Sequence, residues 1–224
     1  MAKIILLSDI HASGKALDSI EQFLQKSQEN FSGVIFTGDL LCDGDPAVFA
    51  DHFIEFIGRI GQSFLWVSGN NDFGEGYERM RREYLPLDEL DEVIINGRRF
   101  VGVGGSPLLW DLDRTDSSAT LRNKIAGSVF LSHYPPRGNF QYAKIDSGLS
   151  PADSNTTTPL PDIVGYRPRN ITNSPLLHIC GHIHSQYGVA HLGQTKIIKL
   201  GAANQGHCAI LDLASLRVEF LNLF

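Results

Sequence analysis

The stretch FLWVSGNND, Phe64 to Asp72, decides how this chain is read. Its first four residues form an unbroken apolar run, and its last three are two asparagines and an aspartate. The run has the length and composition of a strand buried on both faces. The asparagines suit a turn, because Asn tolerates left-handed backbone angles and bonds to its own backbone. They also place two amides and a carboxylate at a strand end, where a turn can double as a site.

The same pattern recurs outward from that stretch. Ile4–Leu7, Val34–Phe36, Val129–Leu131 and Leu176–Ile179 are short runs rich in Ile, Val, Leu and Phe, all read as buried strands. Between the first of them lie helical patterns. Ala16, Leu17, Ile20, Phe23 and Leu24 share one face, as do Val48, Phe49, Phe53, Phe56, Ile57 and Ile60. Strand–helix–strand alternation implies a parallel α/β core with right-handed crossovers.

The second half changes character. Asn96-Gly97 between two strand-like runs signals a hairpin. Tyr187–Leu192, Lys196–Leu200, Cys208–Leu213 and Arg217–Leu221 read as a meander, so the sheet is mixed and the strands suffice for two packed sheets. Residues 139–175 are rich in Ser, Thr, Pro and Asn without periodicity, a long loop of the kind that is functional or disordered. The expectation is one domain over residues 1–224.

The polar residues concentrate where the strands end. Asp9 and His11 follow the first, Asp39 the second, Asn70, Asn71 and Asp72 the third, His133 the fourth, His182 and His184 the fifth. In open α/β sheets the ligand crevice lies beyond the carboxyl ends of the strands. If the backbone there is extended, residues i and i+2 of D-x-H and H-x-H point the same way into one site. Any one of these signals alone is more often a surface turn or a satisfied core histidine. Five successive strand ends in this order are not. Imidazole, carboxylate and amide oxygen together suit Mn, Fe, Zn, Co or Ni rather than a thiolate metal. Seven such groups exceed the needs of one ion and match two ions sharing a carboxylate, the clamp used for phosphoryl displacement.

Composition narrows the classes. Of 224 residues 42% are apolar and 20% charged, an ordinary globular mixture, with a formal charge of −6. No Lys/Arg block exceeds Arg81-Arg82 or Arg98-Arg99, so a nucleic-acid partner is not expected. Three cysteines without C-x-x-C spacing argue against a disulfide framework and for a reducing compartment. The start of the chain lacks a signal-length apolar region and no run approaches 18 residues, so the expected location is cytoplasmic and no membrane partner is expected. A small phosphorylated substrate is the expected partner, and a homo-oligomer is compatible with the sequence.

These motifs resemble those of the calcineurin-like metallophosphoesterases, including small prokaryotic phosphodiesterase-type members. The match runs in family order from D-x-H at Asp9/His11 through Gly38-Asp39, Gly69-Asn70 and His133 to G-H-x-H at Gly181–His184. The resemblance implies a four-layer α/β/β/α sandwich of two mixed sheets flanked by helices. It implies Asp9, His11 and His184 on a first metal, Asp39 bridging, and Asn70, His133 and His182 on a second, with Mn favoured. It also implies in-line attack on phosphorus by a metal-bridging hydroxide. The departure is Asn71, where many members carry a His that protonates the leaving oxygen or binds the phosphate, oriented by the following acid, here Asp72. An amide donates a hydrogen bond but is no general acid. That favours a diester or an activated phosphate over a simple alkyl monoester. His207 is expected near a final active-site loop. The competing readings are a weak or inactive metal-binding scaffold of the same fold and a nuclease. The filled ligand positions favour the enzyme. Cys42 and Cys180 are read as small buried residues, His52 as a helix-surface residue and His178 as alternating within a strand, Asp43 and Asp45 as helix capping, and Arg137, Arg167 and Arg169 as solvated loop charges.

Overall fold

The computed structural model describes residues 3–27, 29–42, 46–60, 63–105, 123–136 and 174–224. The strands expected from the apolar runs form in order. They are β1 (Lys3–Leu7), β2 (Phe31–Thr37) and β3 (Ser63–Val67), then β4 (Glu89–Ile95) and β5 (Arg98–Val103). After these come β6 (Val129–Ser132), β7 (Leu177–Cys180), β8 (Gly188–Leu192), β9 (Thr195–Lys199), β10 (His207–Asp212) and β11 (Val218–Asn222). The helices are α1 (Gly14–Lys26), α2 (Pro46–Ile60) and α3 (Gly74–Glu83).

The strands make two mixed sheets flanked by helices, ordered β11-β10-β1-β2-β3 and β4-β5-β6-β7-β9-β8. In sheet 1, β1, β2 and β3 run parallel while β10 pairs antiparallel with β1 and β11 with β10. In sheet 2, β5, β6, β7 and β9 are parallel neighbours with antiparallel edges β4 and β8. The expected C-terminal meander is therefore corrected: β8 and β9 complete sheet 2, whereas β10 and β11 cross to sheet 1. Local sequence cannot foretell that, because the partner of β10 is β1, two hundred positions earlier in register (Leu6↔Ala209).

Alternation along each strand explains the layers. Ile5, Leu7, Val34, Phe36 and Trp66 join Leu17, Ile20, Phe53, Phe56 and Met80 under the three helices. Their neighbours Ile4, Leu6, Ile35 and Val67 meet Phe100, Val129, Leu131, Leu177, Ile179 and Ile198 in the core between the sheets. Val48 departs from the expected inward face of α2. It is 52% exposed, being on the same turn-spaced row as exposed His52 and Glu55.

Capping sets where the helices start beyond the strand ends. Ser13 closes the loop after β1 by accepting a hydrogen bond from the Ala16 amide, so α1 begins three residues past His11. Helix α2 opens on Pro46, whose missing N–H costs nothing at the first helical position. The hairpin forms as expected, with φ of 50° at Asn96 and 74° at Gly97, the two positive angles a type I′ turn requires. Among the described residues no helix is long and apolar enough to cross a membrane. Of the 139–175 loop only Ser174 and Pro175 are described; Asp43, Asp45, Arg137, Arg167 and Arg169 also lie outside the described residues.

Candidate metal centre

The five strand ends do converge, but not on extended backbone. Asp9, His11, Asp39 and His182 have φ of 55°, 49°, 58° and 75°, left-handed values that cost non-glycine residues energy and gather at functional sites. The i, i+2 argument for D-x-H and H-x-H is thereby corrected: the side chains meet because the backbone curls after the strand. A ladder of amide bonds holds the curl, from Asp9 N to Gly38 O, His11 N to Asp39 O and Gly181 N to His133 O.

Two ligand groups result. Asp9, His11 and His184 form one, and Asp39, His133 and His182 the other, each with its donor atoms within 4.8 Å. In the first, the Nε2 atoms of His11 and His184 lie 3.0 Å apart. In the second, His133 Nε2 is 3.4 Å from Asp39 Oδ2, 3.2 Å from His182 Nδ1 and 3.1 Å from Asn70 Oδ1. The groups adjoin, since His11 Nε2 is only 3.8 Å from Asp39 Oδ2. All seven residues expected as ligands are thus brought together, with the H-x-H pair divided between the groups.

The residues fit divalent cations on two counts. Asp9 Oδ1 is buried and accepts no hydrogen bond, although the His184 and His11 Nε2 atoms lie 3.3 and 3.9 Å away. A buried carboxylate oxygen without a well-formed hydrogen bond, facing two imidazoles, is a fitting place for a cation, because a buried unpaired acceptor is costly. Protonation states point the same way. Burial would raise Asp9, yet His184 together with the His133 and Lys199 charges holds it well below the ordinary carboxylate range. Asp39 is likewise lowered, with His133 overriding burial. Burial, then the neighbouring His133, pushes His182 down to about 4, and burial lowers His11. Ionised carboxylates beside neutral imidazoles are what a metal binds. His133 is the exception: burial presses it down, but Asp39 wins and raises it. Its Nδ1 bonds to Thr37 O at 2.8 Å, which turns Nε2 toward Asp39.

The site tolerates no bulk behind its carboxylates. A Cβ on Gly69 would stand 2.1 Å from Asp39 Oδ1, and one on Gly181 would stand 1.8 Å from Ser8 Oγ and 2.7 Å from Asp9 Oδ2. This close approach is the reason for glycine in the G-N and G-H-x-H motifs.

Asn71 and Asp72 have sharply defined partners. Asn71 donates to both oxygens of Asp39, from its backbone N at 2.8 Å and its Nδ2 at 2.7 Å. Asp72 is 8% exposed and accepts from the amides of Asp39, Leu41 and Gly69 at 2.9, 2.9 and 2.8 Å. The expectation that Asp72 orients residue 71 is corrected: its carboxylate joins the β2 loop to the β3 loop. Burial pushes it up to about 7, against those amides.

His207 belongs to neither group. It opens β10 with its ring 4.4 Å from that of Tyr187, and its side chain packs on Gly201. Cys42 is half-buried and Cys180 buried, both free and outside the groups. His178 is buried, its Nε2 2.7 Å from Ser132 Oγ, and burial pushes it down to about 3. His52 is exposed on α2.

Lys199 is what reading the residues missed. It is fully buried, donates to Ile183 O and Leu200 O at 2.8 Å each, and burial pushes it down to about 8. The available signal was its place at the carboxyl end of β9, in line with the ends of β6 and β7.

A family profile described as calcineurin-like phosphoesterase matches residues 2–186. No curated protein matches the chain. Among solved structures the chain is similar to TT1561 of Thermus thermophilus, at 17% identity and a TM-score of 0.64, covering 100% of this chain and 99% of that one. It is similar to a dimetal phosphatase from Danio rerio at 12% identity and 0.59, covering 100% and 96%. An archaeal phosphodiesterase is similar at 17% identity and 0.54, covering 98% and 99%. At these identities the structural likeness speaks for the fold.

Proposed function

The chain belongs to the calcineurin-like phosphoesterases, hydrolases of phosphate esters, and from that premise we propose a phosphodiesterase acting on a small phosphodiester or an activated phosphate. Two divalent ions, Mn favoured, held by Asp9, His11 and His184 and by Asp39, Asn70, His133 and His182, would activate water and offset charge developing on the phosphoryl oxygens. The chain's own residues set everything around that chemistry. Asp39, whose Oδ2 lies 3.4 Å from His133 Nε2 and 3.8 Å from His11 Nε2, would be the carboxylate shared between the two. His133 is held in one tautomer by Thr37 O, so its Nε2 stays on the site side. The Asn71 amide, now on Asp39, is a neutral donor for a phosphoryl oxygen.

The observation that carries the diester reading is the Asn71–Asp72 pair. Asn71 has no proton to give to a departing oxygen, and both Asp72 oxygens are committed to backbone amides. A leaving group must therefore depart without protonation by either residue, which disfavours basic alkoxides and suits activated esters. The test is Asn71→His, assayed with Mn²⁺ on bis(4-nitrophenyl) phosphate and on diesters with progressively more basic leaving groups. The variant is expected to gain about 10²-fold or more on the basic leaving groups and little on 4-nitrophenolate. No gain on the basic leaving groups would remove the diester argument.

A further inference from the structure

Among the described residues Lys199 is the one lysine buried to 0% exposure. Burying an ammonium is costly, and lysine is almost never fully buried unless paired. Its hydrogen-bond acceptors are two carbonyl oxygens, Ile183 O and Leu200 O. Ile183 is the residue between His182 and His184, which stand in different ligand groups. Its peptide is tight: Ile183 N donates to Gly181 O at 3.0 Å, and Ile183 O also accepts from Gln186 N at 3.2 Å. His182 sits at φ 75°, with its own amide donating to Asp9 Oδ2 at 3.0 Å. The other end of the lysine's grip is fixed as well, since Leu200 N donates to Cys180 O at 2.8 Å and Cys180 is the register partner of Lys199.

We propose that Lys199 is a positioning residue that locks the Ile183 peptide, so that His182 and His184 are dealt to separate metal subsites. The proposal rests on the metal-centre reading above. Two consequences of the lysine oppose each other. Its positive charge, within reach of Asp9, works against binding a cation nearby. Its clamp fixes the peptide between two imidazoles, one of them on the left-handed residue His182. A purely electrostatic role and a positioning role therefore predict opposite signs on removal.

Mn²⁺ binding to metal-stripped protein, followed by titration calorimetry, reads that sign without recourse to activity. Lys199→Met, which keeps the length and removes charge and donors, is expected to weaken binding about 10–100-fold, as losing the support of a ligand does. Lys199→Gln, whose amide can donate to one carbonyl without charge, is expected between wild type and Met, and serves alone if the Met variant does not fold. Binding as tight as wild type or tighter in the Met variant, or weaker in Gln than in Met, would overturn the clamp. Wild-type protein that binds no divalent ion would overturn the metal reading itself.

Discussion

The rims of the two sheets meet at the centre with opposite chemistry and opposite supports. Sheet 1 brings oxygen: Asp9, Asp39 and Asn70 from β1, β2 and β3, with His11 as its single imidazole. Sheet 2 brings nitrogen alone, through His133, His182 and His184. Behind the first rim a buried carboxylate, Asp72, gathers backbone N–H groups from two loops. Behind the second a buried ammonium, Lys199, gathers backbone carbonyls. The β2 loop at Gly38-Asp39 and the β7 loop at His182 turn through left-handed angles, and main-chain groups face inward, donors on one side and acceptors on the other. A single buried charge of matching sign satisfies them where water cannot reach. The difference teaches that ligand identity is written at the strand ends, while ligand placement depends on residues with no part in binding.

The largest effect is expected at Asp39, the residue proposed to serve both groups. Asp39→Ala is expected to lower turnover of bis(4-nitrophenyl) phosphate by about 10³-fold or more, the scale of losing several kcal/mol of charge stabilisation. Metal content should fall alongside. Next comes the support of the first rim. Asp72→Ala strands three buried amides, at about 1–3 kcal/mol each, so metal-free protein should lose at least about 3 kcal/mol in urea denaturation. A loss below about 1 kcal/mol would show that Asp72 does not hold that rim together.

The smallest effect belongs to the second rim and is read by pH. Burial pushes His178, beside the Ser132 that precedes His133, down to about 3 from its ordinary 6.5. Between those values the unfolded chain takes up a proton that the folded chain refuses. Its contribution is therefore neutral above pH 6.5 and destabilising as pH falls through the window, by about 1.4 kcal/mol per pH unit. His178→Gln should flatten the acid limb of stability between pH 6 and 4 by roughly that slope. An unchanged limb would mean that His178 does not titrate across folding.

Much of this was legible in the residues. Phe64–Val67 and its counterparts declared buried strands because a short, nearly unbroken apolar run has few other uses, and their polar successors declared the site. Helix α3 was not legible: GEGYERMRRE is short and charged, with Gly76 and Met80 as its buried residues. The left-handed angles at Asp9, His11, Asp39 and His182 were hidden because tertiary hydrogen bonds, not local propensity, impose them. Asp72 was seen as polar equipment of the site, but two of its three partners are backbone amides of the distant β2 loop, which no spacing reveals. Lys199 was hidden for the converse reason. A lysine in a strand reads as an outward residue, and the carbonyls of Ile183 and Leu200 are what make its burial tolerable.

If the two adjoining groups hold two ions, hydrolysis should follow their occupancy. Metal-stripped protein titrated with Mn²⁺, with bound metal and bis(4-nitrophenyl) phosphate turnover read on the same samples, tests it most directly. Two ions per chain are expected, with turnover that rises as the second binds. A single ion at saturation, or full turnover in metal-stripped protein, would contradict it.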